Sequence, residues 1–145
     1  MSKQHDCANI FMEEFYYWTQ ELNIPCELTI DNRYKKIGAC AGYDMYENPW
    51  VTFCPDCKGA WKERRDTFII AIFHELGHIK YNTHKWRETY YNKVESEYLA
   101  ETFCLRTLKK YFPRLYEKRV ATYKDDYECL LPSHHKAFSK IKEYN

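Results

Sequence analysis

No stretch of this chain carries the ~20 consecutive apolar residues that a bilayer-spanning helix needs. The opening residues, Met1-Ser2-Lys3-Gln4-His5-Asp6, lead into no apolar segment of the kind that marks a secretory signal. Neither a membrane protein nor an exported one is therefore expected. Glycine and proline are scarce, at four and five in 145 residues. No long flexible linker is expected, and the length suits one domain over residues 1–145. Charge of one sign is also missing, because 22 Lys and Arg stand against 21 Asp and Glu. That balance offers no broad attraction for nucleic acid or an anionic membrane. The local cluster Lys62-Glu63-Arg64-Arg65 reads as a solvated stretch in preference to a phosphate site.

Cysteine is not scarce, but its seven copies are odd in number and irregular in spacing. A secreted disulfide framework would pair them, so a reducing, cytoplasmic setting is expected. Hydrophobic residues make up 45% of the chain, enough for a core at this length. Fourteen tyrosines and eight phenylalanines reconcile that core with a low mean hydropathy, since tyrosine buries its ring while keeping its hydroxyl wet.

Hydrophobic spacing predicts a helix from about Cys7 to Leu22, with Phe11, Phe15, Trp18 and Leu22 on one face. Three strands are predicted next, at Pro25 to Ile30, around Ile37 to Tyr43 and around Trp50 to Phe53. Asp31-Asn32 marks a turn after the first strand, and residues 44–49 form a hairpin loop between the second and third. A strong helix starts near Asp66, a plausible N-cap, with Ile69, Ile72, Phe73, Leu76 and Ile79 along its apolar face. A polar segment from Asn82 to Tyr91 reads as a loop. Another helix runs from about Val94 to Tyr111 and stops before Pro113. One or two short helices follow, the last with Ser133 as its expected cap.

The predicted helix from Asp66 carries His74-Glu75-Leu76-Gly77-His78. Residues four apart share a helix face, so His74 and His78 can aim both imidazoles at one cation. Glu75 lies about 100° around the helix from His74, too displaced to share the ligand position but able to reach a water beside the ion. This is the logic of the His-Glu-x-x-His motif, with two zinc ligands and a general base. Such a string also arises by chance in helix-rich chains. Two features favour the metal. The helix is otherwise strongly apolar, where unpartnered histidines and a glutamate are costly. Gly77 also sits inside it at a cost of about 0.5–1 kcal/mol against alanine, which makes sense if something packs close to the backbone.

A catalytic zinc usually takes three protein ligands. Glu97 is the favoured third, with Glu101 four residues on and able to orient a ligating histidine through its ring N–H. The bland reading, a solvated acidic face, suits Glu95 better than Glu97, which is followed on its own face by Ala100, Glu101 and Cys104. His84 is the second candidate, at the spacing of a metzincin's third histidine. Tyr81 occupies the required glycine position there, although the neighbouring Asn82 tolerates a left-handed backbone. Met1, Met12 and Met45 all lie upstream, so no Met-turn can follow. His134 and His135 come third and read as surface residues at a helix start.

Taken together, these residues resemble the ImmA/IrrE metallopeptidase family. Its His-Glu-x-x-His helix is followed by one of the form Glu-x-x-Ala-x-x-Phe-Ala-x-x-Leu-Leu. Here Glu97, Ala100, Phe103 and Leu108 match, while Cys104 and Thr107 depart from it. The resemblance covers roughly residues 25–113, and His74 to His78 is its most specific part. With the elements read above, it implies an α+β, zincin-like fold in which the predicted N-terminal helix, a small three-stranded antiparallel sheet, the active-site helix, a glutamate-bearing helix and short C-terminal helices follow in order. It also implies a Zn²⁺ endopeptidase with Glu75 as catalytic base and His74, His78 and Glu97 on the metal. Members often cleave repressors or stress-response regulators, so a protein substrate of that kind is implied, without direct nucleic-acid or membrane binding.

Other functions remain in view. A SprT-like protease acting on DNA-bound proteins would want a third histidine and a basic region. A non-cleaving zincin scaffold that binds or senses a partner would have no need of Glu75. Cys54-Pro55-Asp56-Cys57 lies outside the family pattern. Hairpin turns near Arg33 and Glu47 would align Cys26, Cys40 and Cys54 across the sheet beside Cys57, as for a structural zinc. Buried cysteines acting as small apolar residues are the favoured reading.

Overall fold

The computed structural model describes residues 3–30, 38–43, 48–54, 61–83, 89–123 and 132–145. Helix α1 spans Lys3–Glu21, beginning four residues before the expected start at Cys7. It ends where Asn23 takes a left-handed φ of 54°, a conformation asparagine tolerates. Strands β1 (Glu27–Ile30), β2 (Gly38–Tyr43) and β3 (Pro49–Cys54) follow. Helices α2 (Trp61–Lys80), α3 (Tyr90–Tyr111), α4 (Pro113–Thr122) and α5 (Pro132–Ser139) come next, then a 3₁₀ turn at Lys142–Tyr144. The fold is thus rich in helix, with one small sheet. Among the described residues no helix is long and apolar enough to cross a membrane.

The all-antiparallel sheet is not what forms. The strand order is β1-β3-β2. β3 pairs antiparallel with β2, as the hairpin reading expects, but parallel with β1. β3 therefore fills the gap between its two predecessors. The physical reason lies in burial: its Val51 and Phe53 are sealed from water, whereas β1 alternates between exposed and half-buried positions. The most apolar strand takes the centre, where both edges are paired.

That order also undoes the row of cysteines. Cys40 pairs with Thr52 and Cys54 with Gly38, so Cys40 and Cys54 are not opposite each other. Cys26 precedes β1, whose Glu27 aligns with Trp50, and so lies at the far end of β3 from Cys54. Trp50 and Cys54 are four positions apart, and at about 3.3 Å per residue Cys26 is more than ~13 Å from Cys54 along the sheet. No single ion can bridge these two. Cys57 and the Asp31-Asn32 turn lie outside the described residues.

One core joins α1, the sheet, α2 and α3. Phe11 stacks on Phe53 with centroids 3.8 Å apart, and Phe68 packs edge-on against both. The predicted face of α2 is buried throughout, at Ile69, Ile72, Phe73, Leu76 and Ile79. Asp66 is not the N-cap, because α2 begins at Trp61 and places Asp66 on an exposed turn near Lys118, 3.7 Å away. Arg65, from the basic cluster, pairs with Glu14 of α1 at 2.7 Å. A second core gathers Val94, Leu105, Tyr123, Phe138, Ile141 and Tyr144, binding α5 and the final turn to α3.

Candidate metal centre

Helices α2 and α3 meet at Gly77. A Cβ there would lie 2.9 Å from both Cα and O of Ala100 and 3.2 Å from Phe103 Cβ. Only glycine permits that approach. The approach sets His74, about one turn before Gly77, and His78, the next residue, against the acidic face of α3.

His74 Nδ1–H donates to Glu101 Oε2 at 2.9 Å, since a carboxylate can only accept. His78 Nδ1 bonds Ser96 Oγ at 2.9 Å. With both Nδ1 atoms so engaged, both Nε2 atoms turn toward Glu97. His74 Nε2 lies 2.8 Å from Oε2, and His78 Nε2 lies 3.2 Å from Oε1. Bare imidazole nitrogens and carboxylate oxygens repel at such distances unless a cation stands between them. Zinc bonds of about 2.0–2.1 Å at tetrahedral angles separate ligand atoms by about 3.3 Å, close to what is seen. His74, His78 and Glu97 are accordingly a group that could hold a metal ion.

The electrostatics agree with that geometry. Burial opposes a charged His74, but its hydrogen bonds to Glu101 and Glu97 outweigh burial and raise its pKa well above the usual imidazole range. Burial likewise opposes ionised Glu97, yet hydrogen bonds from His134, His74 and His78 hold it far below the usual carboxylate range. A divalent cation bound among these groups would displace the protons that otherwise bridge them. Glu75 is almost fully buried beside them. Its pKa is raised chiefly by that burial, against the pull of His74 and His78.

Behind His74, Glu101 is sealed from water and doubly held. Tyr144 O–H donates to its Oε1 at 2.6 Å, and Arg119 Nε reaches the same oxygen at 3.2 Å. Burial raises the Glu101 pKa, but the His74 hydrogen bond and the Arg119 charge prevail and bring it to about 2. The clamp thus presents a full negative charge to His74 Nδ1–H.

Of the residues singled out in the sequence, His74, His78, Glu97 and Glu101 come together, with Glu75 adjacent. His84 lies outside the described residues, although Asn82 before it does adopt a left-handed φ of 52°. His134 stands at a helix start as expected and is half-buried, and its Nε2 also reaches Glu97 Oε2 at 3.0 Å. Ser96, Arg119 and Tyr144 carry no sequence signal of their own. A separate cavity of about 440 Å³ opens between α2 and α4, lined by Ile69, Phe112, Leu115, Arg114 and Lys118 among others. None of the metal-site residues lines it. No protein-family model matches the chain, and no curated protein or solved structure matches it significantly.

Proposed function

We propose that this protein is a zinc-dependent endopeptidase of the ImmA/IrrE type, acting in the cytoplasm on a protein substrate such as a transcriptional regulator. One observation carries the reading: the Nε2 atoms of His74 and His78 and the Glu97 carboxylate converge, while Glu75 stands buried beside them. Zinc held by such a donor set acidifies water to a pKa of about 7 and polarises carbonyl groups. Glu75 accepts the proton that a water gives up as it attacks a peptide carbonyl, then delivers it to the departing amine. Its raised pKa suits both halves of that transfer. Glu101 keeps His74 in the Nδ1–H form and so keeps Nε2 free for the metal. A scaffold that only bound a partner would not need Glu75 at that position.

The test pairs zinc analysis with proteolysis. Wild-type protein should take up one zinc per chain, Glu75→Gln should retain it, and Glu97→Ala should bind it far more weakly. Cell lysate treated with each variant and searched for new peptide N-termini should show cleavage by wild type alone. Equal cleavage by Glu75→Gln would exclude Glu75 as the base, and full zinc in Glu97→Ala would exclude the ligand set.

A further inference from the structure

The cavity of about 440 Å³ between α2 and α4 lies apart from the metal donors and takes no part in the chemistry above. Its size falls within the usual range for small-molecule sites, about 300–1,000 Å³. Its walls are of two kinds. Ile69 from α2, Phe112 from the α3–α4 joint and Leu115 from α4 supply apolar surface. Arg65, Arg114 and Lys118 supply three positive charges against one acid, Asp66. The chain as a whole is nearly neutral, with 22 basic and 21 acidic residues, so this excess is local. Arg65 is engaged with Glu14, and Lys118 stands 3.7 Å from Asp66. Arg114 is exposed at the start of α4 and forms no ion pair among the described residues. An apolar wall beside an uncommitted guanidinium is complementary to a molecule with an apolar body and a carboxylate, which arginine receives through two parallel N–H bonds.

A second, smaller cavity, of about 190 Å³, shares Asp66, Leu115 and Lys118 with the first and reaches Arg119. Leu115 and Arg119 are four positions apart and so share a face of α4. Arg119 Nε donates to Glu101 Oε1 at 3.2 Å, and Glu101 in turn holds His74. One helix thus carries both a wall of the cavity and a support of the metal centre. We propose that the larger cavity is a regulatory site for a small aromatic carboxylate, anchored by Arg114, whose binding tightens the metal site through α4. Tyr111 and Phe112 line the cavity with rings, which favours an aromatic body. A bound molecule that touches both Ile69 and Leu115 joins two helices that a gap otherwise divides, and so fixes Arg119 against Glu101. The coupling rests on the zinc reading above, whereas the binding site does not. Linkage requires zinc to strengthen carboxylate binding by the factor by which the carboxylate strengthens zinc binding, about 5–150-fold for couplings of this kind.

The experiment uses the full chain, as wild type and Arg114→Gln, with two probes, 3-phenylpropionate and its neutral amide. Arg114 is exposed, so the variant should fold as wild type, and circular dichroism checks this. Calorimetric titration measures each probe against metal-free and zinc-loaded protein. The carboxylate should bind saturably, and the amide about tenfold more weakly or worse, because a hydrogen bond to a charged group is missing. Arg114→Gln should lose about tenfold in carboxylate affinity and leave the amide unaffected. Zinc-loaded wild type should bind the carboxylate at least about fivefold more tightly than metal-free protein, and chelator competition should show zinc affinity raised by the same factor. The site is overturned if the carboxylate shows no saturable binding, if the amide binds as well, or if Arg114→Gln binds the carboxylate as wild type does. Equal carboxylate affinity with and without zinc overturns the coupling. So does a zinc effect that persists at full size in Arg114→Gln, since a carboxylate seated on the metal itself would ignore Arg114. A wild type that binds the carboxylate but takes up no zinc brings down the zinc reading and the coupling with it, and leaves the binding site standing.

Discussion

At Gly77 the absence of a side chain is what lets α2 and α3 touch, and the cost of adding one can be set out. Alanine would gain about 0.5–1 kcal/mol of helix preference. Its methyl would meet Ala100 backbone atoms at 2.9 Å, and such overpacking costs about 1–3 kcal/mol. Gly77→Ala should therefore lower the urea midpoint and weaken zinc binding together, since His74 and His78 flank the contact. A midpoint at or above wild type would show that the helices are not so close. The cysteines allow a second test at this scale. Burial, aided by the Glu27 charge, pushes the Cys26 thiol up to about 12, and burial raises Cys104 well above its usual value. Both should alkylate slowly at pH 7.5, and Cys26 should speed up about tenfold per pH unit up to about 12, because the thiolate is the reactive form. Mass-mapped iodoacetamide labelling checks this, and fast labelling of either at pH 7.5 would contradict it. His74, Glu75 and His78 were legible in the sequence because a single helix turn relates them. Glu97 and Glu101 were legible because small and ligating residues share their face. Ser96 was not, since one serine beside a glutamate is unremarkable until His78 is placed opposite it.

At the scale of elements, helix α3 starts earlier than its apolar pattern does. Its first turn is exposed, with Tyr90 and Tyr91 in solvent, so no hydrophobic periodicity marks it. The signal that was present is Thr89, whose side chain accepts from Asn92 N at 3.1 Å as an N-cap. Thr89→Ala should cost about 1 kcal/mol in urea unfolding and leave zinc stoichiometry intact, because Glu97 lies two turns further on. A loss of metal in this variant would mean that fraying of the first turn reaches the site. Pro113 both ends α3 and opens α4, a junction readable from the proline alone. Strand order was less readable. Leu28 and Ile30 alternate with the exposed Glu27 and Thr29 in β1, and alternation sets which face is buried but not which strand lies between which. The density of apolar residues in Trp50-Val51-Thr52-Phe53 was the available clue that β3 is central.

Across the whole molecule, the last helical segments return to the candidate metal centre. Tyr144 and His134 touch Glu101 and Glu97, and Arg119 adds a charge from α4. Arg119 and Tyr144 lie 18 and 43 positions from Glu101, and no spacing rule links residues so far apart, which is why these partners could not be read in advance. Tyr144→Phe isolates the connection. Its ring should keep its stack on Tyr123, centroids 3.9 Å apart, while the hydrogen bond to Glu101 is lost. Hydrogen bonds to charged groups contribute about 1.5–3 kcal/mol, and a fall of that size in unfolding free energy is expected, along with weaker zinc binding. Unchanged stability would show that Glu101 is held by Arg119 alone. The same connection orders events in time. Ribosomes add roughly 5–20 residues per second. Tyr144 follows Glu97 by 47 positions, so it is synthesised some 2–9 seconds later at that rate. For that interval a nascent chain carries His74, His78 and Glu97 but not Tyr144, so an ion captured then would be held without the hydrogen bond that Tyr144 gives Glu101.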